Sequence, residues 1–251
     1  MRLAERVVIV TGGGLGIGRA FSHALAREGA RVVIADIDLD AAEQTAEGIA
    51  GEGGVAVAIR TDVSEPAQAA AMASAAIERF GRIDGLVNNA ALFTALPLRD
   101  LEEIDVAEWD RVMAVNLRGP FLCARAVLPE MKRRGSGKIV NVSSASILKG
   151  NARRVHYVTS KAGLIGLTRS LARACGPYNI CVNSLLPGST ASETAMAAYA
   201  PEHFAKGAAQ RALGRIEQPA DLIGPLIFLC SSESDFVTGQ SIVVDGGSVM
   251  Y

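Results

Sequence analysis

The sequence is poor in several features that often betray a function. Aromatic residues fill only 5% of its 251 positions, with a single tryptophan, while glycine and alanine abound; that balance favours thin, tightly packed helix and sheet layers over a β-sandwich. A formal net charge of −1 leaves no basic field to attract nucleic acid and no acidic tail to keep a segment disordered. The one run of three cations, Lys132-Arg133-Arg134, fits a helix C-terminus, where positive charge meets the negative end of the dipole. No apolar run is long enough to span a bilayer and no hydrophobic signal region opens the chain, so a cytoplasmic protein without a membrane partner is expected. The four cysteines (Cys123, Cys175, Cys181, Cys230) show neither C-x-x-C nor metal-ligand spacing, so buried thiols are expected and no metal. Repeats, low-complexity tracts and inter-domain linkers are missing too. A chain of this length, without linkers, is expected to form one domain over residues 1–251.

What is present is an alternation of β-branched runs and helical patterns. Val7-Val-Ile-Val-Thr11 reads as a buried strand, broken by Gly12-Gly-Gly14-Leu-Gly16-Ile-Gly18; a helix over 19–28 follows, closed by Gly29, and then the strand Arg31-Val-Val-Ile-Ala-Asp36. The glycines let backbone N–H groups at the helix start approach a pyrophosphate, and Asp36 can accept hydrogen bonds from both hydroxyls of an adenosine ribose. A ribose 2′-phosphate would be repelled by Asp36, and Gly13, Gly14 and Ile37 offer no compensating cation, which predicts NAD over NADP. Further strands are expected at 55–60, 83–88, 138–144, 180–186 and 241–247, with helices at 39–50, after Pro66, at 106–132 as one long helix bent at Gly119-Pro120, from Tyr157 through Leu171, and at 219–230. This order predicts a doubly wound, Rossmann-type, mostly parallel sheet of about seven strands in three α/β/α layers, with ligands at the carboxyl ends of the strands.

The chemistry concentrates between Lys138 and Gly166. A strand ending in Ser143 and Ser144 faces a helix on which Tyr157 and Lys161 project one turn apart from the same side. An ammonium beside a phenol favours the phenolate and draws a pKa of about 10 towards working pH, making Tyr157 a candidate general acid/base, with a serine hydroxyl to bond the oxygen that changes protonation.

Ser144 followed by Tyr157-x-x-x-Lys161 resembles the catalytic core of the short-chain dehydrogenase/reductase family, and Thr11-Gly12-x-x-x-Gly16-x-Gly18 resembles that family's version of the glycine turn. The resemblance extends along the chain. Asp62-Val63 is similar to the adenine-contacting pair, although Asp62 can equally act with Ser64 near the cap of the next helix. Asn88-Asn89-Ala90-Ala91 is similar to Asn-Asn-Ala-Gly, with an alanine last; a structural asparagine turn is the other reading. Pro187-Gly188 is similar to the turn beneath the nicotinamide, where Thr190 replaces the usual β-branched apolar residue and Ser192 keeps a hydroxyl; Asp245-Gly-Gly is similar to the C-terminal signature near a subunit interface.

The resemblance implies a tetrad of Asn116, Ser144, Tyr157 and Lys161, with Asn116 holding a water that links Lys161 to solvent; Ser143 is the rival to Ser144. It implies a cofactor site at Gly12, Leu15, Gly16, Ile17, Gly18, Asp36, Ile37, Asp62, Val63, Asn89, Ala90, Ala91, Tyr157, Lys161, Pro187, Gly188, Thr190 and Ser192. Residues 190–213, alanine-rich and weakly patterned, are similar to the family's mobile substrate lid, with Glu193 and His203 as polar contacts; an ordinary pair of surface helices is the alternative.

The expected activity is reversible hydride transfer between a secondary alcohol or ketone and NAD, in a homotetramer or homodimer. The pocket is expected to involve Ala145, Ser146, Leu148, Asn151, His156, residues 187–190, Met196 and the C-terminal Met250-Tyr251, a mainly apolar lining suited to a cyclic or aromatic alcohol. His156 is either a substrate contact or an exposed residue at a helix start. Three other functions are weighed. A 3-oxoacyl-thioester (acyl carrier protein) reductase would normally prefer NADP; a non-catalytic nucleotide-binding scaffold or sensor should have lost part of the tetrad; a nucleotide-sugar dehydratase or epimerase needs a larger C-terminal domain.

Overall fold

The computed structural model describes residues 1–250. Its strands are β1 (Val7–Thr11), β2 (Arg31–Asp36), β3 (Val55–Arg60), β4 (Gly85–Asn88), β5 (Gly137–Val142), β6 (Ile180–Pro187) and β7 (Ser241–Val244), all parallel, in the order β3-β2-β1-β4-β5-β6-β7. The period of two along each strand feeds two cores. Val7 and Ile9 of β1, with Val33 and Ala35 of β2, pack under α3 (Pro66–Phe80), α5 (Gly119–Arg134) and α7 (Val155–Cys175). Val8, Val10, Val32 and Ile34 face the other way, under α1 (Gly16–Arg27), α2 (Leu39–Gly51) and α10 (Pro219–Cys230). Strands buried on both faces read as continuous apolar runs, which is why β1, β2, β5 and β6 stand out in the sequence.

The strand order reverses at β1, which has β2 on one side and β4 on the other. Such a switch point opens a crevice at the carboxyl ends of the strands. Here it lies between the loop after Thr11 and the loop after Asn88.

Of the boundaries that differ from expectation, three bear on the site. The helical run from 106 is α4 (Val106–Met113), a wide π-type turn over Ala114–Arg118, and then α5; the irregularity lies around Asn116, before Gly119-Pro120. Pro120, which has no N–H to donate, sits where that wide turn passes into α5. β4 starts at Gly85, and the Asp84 carboxylate before it accepts the Val7 N–H (2.9 Å). β7 stops at Val244 because Gly246 and Gly247 turn to positive φ (68° and 76°), with Asp245 Oδ1 accepting the N–H groups of Gly247 and Ser248.

Among the described residues no helix is long and apolar enough to cross a membrane, and no group of three or more His, Cys, Asp or Glu could hold a metal ion. All four cysteines are free and buried.

Candidate functional site

One cleft of about 510 Å³ occupies the switch point, a volume ordinary for a small-molecule site. At one end the chain leaves β1 through the glycine turn. Asn89 Nδ2 donates to the carbonyls of Thr11 (3.1 Å) and Gly12 (2.9 Å), and Thr11 Oγ1 accepts from the N–H groups of Asn89 and Ala90, so the ends of β1 and β4 are laced together. This is a structural asparagine turn that also shapes the cleft wall. Gly18 packs so closely that a Cβ there would meet the Gly12 carbonyl oxygen at 1.9 Å, and Gly16 sits at φ 58°. Asp36, at the end of β2, accepts from Gly14 N–H through Oδ2 (2.9 Å) and from Asp38 N–H through Oδ1 (3.1 Å), so the carboxylate is fixed in the wall before any ligand arrives. A cradle that only glycine backbone can form, next to an oriented carboxylate, fits the pyrophosphate and ribose of a dinucleotide.

At the other end, Ser144 lies between β5 and the short α6 (Ser146–Lys149); its hydroxyl accepts the Ser146 N–H (3.2 Å) and neighbours the Tyr157 phenol, whose pKa it lowers. The rival Ser143 donates its hydroxyl to the Lys161 carbonyl (2.7 Å), tying α7 to β5 and leaving Ser144 as the serine beside the phenol. Lys161 Nζ donates to the Val142 carbonyl (2.7 Å) and lies 5.9 Å from the centre of the Tyr157 ring.

The electrostatics run against the expectation that Lys161 draws the phenol down. Burial dominates and pushes Tyr157 up to about 12, with the Ser144 hydrogen bond and the Arg154 charge opposing it. Burial likewise pulls Lys161 down to about 8. Both charged forms lose water that the closed site does not replace.

Asn116 is fully buried and its polar atoms are engaged away from the Lys161 ammonium's own partner: its amide donates to the Leu92 carbonyl (3.1 Å) and to Ser160 Oγ (3.2 Å), while Oδ1 accepts the Leu92 N–H (2.8 Å). Since Ser160 Oγ donates to the Tyr157 carbonyl (2.6 Å), Asn116 braces the tyrosine's helical turn against the loop after β4.

Of the residues expected at the site, Gly12, Leu15, Gly16, Ile17, Gly18, Asp36, Asn89, Ala90, Ala91, Ser144, Tyr157, Lys161, Pro187, Gly188, Thr190 and Ser192 line this cleft. Asn116, Ile37, Asp62 and Val63 stand outside its lining. Ile37 is 60% exposed and Val63 is buried against the core. The Asp62 carboxylate accepts the backbone N–H (2.9 Å) and hydroxyl (2.7 Å) of Ser64, the local turn before α3 that was its other reading.

In the expected substrate pocket, Ala145, Ser146, Asn151 and residues 187–190 line the cleft, whereas Leu148, Met196 and Met250 do not; Tyr251 lies outside the described residues. Both readings of His156 are corrected. It is completely buried, with Nε2 3.0 Å from Glu108 Oε1, and takes no part in the cleft wall.

Several residues that build the site escaped the sequence reading. Arg154, the residue before α7, lines the cleft and donates to the carbonyls of Phe93 (2.6 Å) and Leu96 (3.2 Å) and to the Tyr199 hydroxyl (2.6 Å). A signal existed: a cation at a helix N-terminus opposes the dipole, so Arg153-Arg154 before a helix calls for another explanation. Phe93 lies tilted against Tyr157 (4.8 Å) and Tyr199 (6.1 Å), and Tyr199 stacks on His203 (4.7 Å). Glu217 accepts from Thr190 Oγ1 (2.7 Å) and Gly188 N–H (3.2 Å), and its buried partner Arg211 donates to the Ser189 carbonyl (2.9 Å), so this pair sets the turn after β6. Glu193, expected with His203 as a polar contact of the lid, stands outside the cleft lining: α8 (Glu193–Ala198) carries its carboxylate over the glycine turn to the Gly16 N–H (3.0 Å) and the Arg19 guanidinium. Beyond it, α9 (Pro201–Ala209) covers the tyrosine end with His203 and Phe204.

A family model described as enoyl-(acyl carrier protein) reductase matches residues 13–249. The trans-4-hydroxycyclohexanecarboxylate dehydrogenase of Sinomonas cyclohexanicum is 40% identical over 252 residues, covering 98% of this chain and 93% of that protein. A 3-oxoacyl-(acyl-carrier-protein) reductase of Thermotoga maritima is 39% identical over 255 residues and the whole of both chains. In three dimensions, the crystal structure of a short-chain type dehydrogenase/reductase from Mycobacterium marinum superposes with a TM-score of 0.92 at 32% identity, over 99% of this chain and 97% of that one.

Proposed function

The chain belongs to the short-chain dehydrogenase/reductase family of oxidoreductases, which act with a nicotinamide cofactor, and we propose that it is an NAD-dependent alcohol dehydrogenase/ketoreductase acting on a cyclic or aromatic secondary alcohol. The observation that carries this reading is the single cleft that runs from Asp36, past the glycine turn, to Ser144, Tyr157 and Lys161. Asp36 favours NAD, because a 2′-phosphate would bring like charge to a carboxylate already held in place by two N–H groups. Bound in the cleft, the nicotinamide supplies the hydride acceptor.

The chain's own residues do the rest. Ser144 hydrogen-bonds the substrate oxygen. In oxidation the Tyr157 phenolate takes the alcohol O–H proton while the C–H bond releases its hydride and the carbonyl forms; in reduction the Tyr157 phenol returns the proton. Lys161 orients the ribose and, when charged, favours the phenolate. Asn116 positions Tyr157 through Ser160. Residues 190–213 act as a lid over the substrate, with Phe93, Tyr199 and Phe204 supplying the apolar surface a ring needs. The 40% identical relative named for a hydroxycyclohexane substrate supports the cyclic class. A homotetramer or homodimer would cover the exposed Phe121 beside Met113, Leu117 and Leu167.

A second reading, reduction of 3-oxoacyl thioesters, is favoured by the 39% identical relative of that name. The test offers purified protein a panel of alicyclic, aromatic, steroid and polyol secondary alcohols with NAD and with NADP, and a 3-oxoacyl thioester with each reduced cofactor. Turnover of one alcohol class with NAD is the expected result. Preference for the thioester and NADPH replaces this reading with the second.

A further inference from the structure

Among the described residues four cations are more than nine-tenths buried: Lys138, Arg154, Lys161 and Arg211. Burying a charge costs several kcal/mol unless something offsets it, and three of the four have an answer. Lys138 Nζ lies 2.8 Å from Asp235 Oδ1, and Arg211 Nη2 lies 3.4 Å from Glu217 Oε2. Lys161 can release its proton. A guanidinium cannot. Arg154 is 3% exposed, yet its three hydrogen-bond partners, the Phe93 and Leu96 carbonyls and the Tyr199 hydroxyl, are neutral. Its exposed neighbour Arg153 is the one with a carboxylate, Asp100, at 3.6 Å.

The Phe93 and Tyr199 rings, 4.4 Å and 5.8 Å from the Arg154 Cζ, offset part of the cost, but no carboxylate pairs this charge, and its position is informative. Arg154 lines the cleft one helical turn before Tyr157, close enough for its charge to act on the phenol. Three bonds leave two of the five guanidinium N–H donors for a ligand. Its Cζ lies 4.4 Å from the centre of the Phe93 ring, which is itself 4.8 Å from the Tyr157 ring, so the cation and the apolar wall belong to one surface. Tyr199 and Phe93 hold the guanidinium from the segment proposed as the lid and from the loop after β4, which fixes where it points.

We propose that Arg154 is the anion-recognition residue of the substrate pocket, and that the secondary alcohol carries a carboxylate on the ring or side chain beside the reacting carbon. The substrate then supplies the counter-charge that the protein withholds. This names a substrate class for the alcohol reading and rests on it.

The test separates the two. Affinities are measured by titration calorimetry on the full chain saturated with NADH, where no turnover occurs, for matched pairs: 3- and 4-hydroxycyclohexanecarboxylate and 4-(1-hydroxyethyl)benzoate, each against its neutral carboxamide. The acid is expected to bind roughly ten- to a hundredfold tighter than the amide, as for a charged hydrogen bond. In Arg154→Met that preference should fall to about one, while Arg154→Lys keeps part of it. A brace for the loop after β4 would alter stability but not the ratio of acid to amide. Equal affinities in the unaltered protein, no binding by any pair, or a preference that survives in Arg154→Met each overturn the proposal. Should Arg154→Met fail to fold, the unaltered protein and Arg154→Lys still decide. NADH formation from the same alcohols with NAD is assayed separately, and its absence would count against the alcohol reading while leaving the acid-to-amide ratio to judge Arg154.

Discussion

At the glycine-turn end of the cleft the wall is backbone and small side chains: Gly12, Gly16, Gly18, Ala90 and Ala91, with Asp36 as the one ionisable group at the end of β2. At the tyrosine end it is long polar side chains held by distant parts of the chain: Lys161 on the Val142 carbonyl, Arg154 on Phe93, Leu96 and Tyr199, Arg211 on Glu217. The first end is specified by steric fit, since a Cβ on Gly18 has nowhere to go. The second is specified by electrostatics in a low-dielectric setting, where charges are strong, mutually dependent and costly. The difference teaches that substitutions at the first end should act on shape and cofactor affinity, and those at the second on rate, pH dependence and stability.

The largest effect should follow from removing one oxygen at the tyrosine end. Tyr157→Phe keeps the ring that packs on Phe93 but abolishes the proton donor and acceptor, and turnover is expected to fall by roughly a thousandfold or more. NADH affinity, read by fluorescence, should change little. In the unaltered enzyme, a phenol pushed up to about 12 is protonated at neutral pH. Ketone reduction should therefore run well at pH 7, and alcohol oxidation should quicken as pH rises into the alkaline range. A Tyr157→Phe protein that still turns over, or an oxidation rate flat with pH, breaks the contrast between the ends.

A second, smaller effect concerns stability. Burial lowers Lys161 from 10.5 to about 8, so the folded chain binds this proton less readily than the unfolded chain. The stability associated with neutral lysine is present above pH 10.5 and is lost as pH falls through about 8. Lys161→Met, which carries no proton, should therefore be more stable than the unaltered protein at pH 7, by on the order of 2–3 kcal/mol, with the gain shrinking towards zero above pH 10.5. Urea unfolding of both proteins at pH 7 and pH 10.5, without cofactor, measures it. A Lys161→Met protein less stable at neutral pH would mean that the bond to Val142 outweighs desolvation.

The same contrast explains what was readable in the sequence. The strand and helix order, the switch point and the glycine turn are local: apolar runs, a turn of glycines and an acid at a strand end announce themselves within a few residues. The Ser144, Tyr157, Lys161 group was legible because a helix fixes the i, i+4 relation and the family motif supplies the serine. What was missed is non-local. Arg154 meets Tyr199 across 45 positions, His156 meets Glu108 across 48, and Glu217 reaches Gly188 across 29. None of these pairs leaves a periodic trace. His156 was misjudged because its ordinary placement at a helix start gave no sign that α4 would cover it. The pKa of Tyr157 was expected to fall because the sequence shows the neighbouring charge but not the desolvation.

The smallest predicted effect tests whether, Asp36 apart, the glycine-turn end is free of side-chain electrostatics, as the comparison holds. It has one exception, the Glu193 carboxylate that reaches down from α8 to the Gly16 N–H and pairs with Arg19. A backbone N–H at the start of α1 is where a pyrophosphate oxygen is proposed to sit, so the carboxylate competes for that donor and for the nearby cation. The pair is partly exposed, with side chains 43% and 36% accessible, so water and salt weaken it. Glu193→Ala should accordingly tighten NADH binding only about two- to fivefold, the range an exposed ion pair allows, with the gain larger at low ionic strength. Turnover at saturating cofactor should stay close to that of the unaltered protein unless opening of α8 limits the rate, in which case it rises. An unchanged dissociation constant at low and high salt would show that steric fit alone governs this end; a weaker one would show that Glu193 holds the turn open for the cofactor instead of occupying its place.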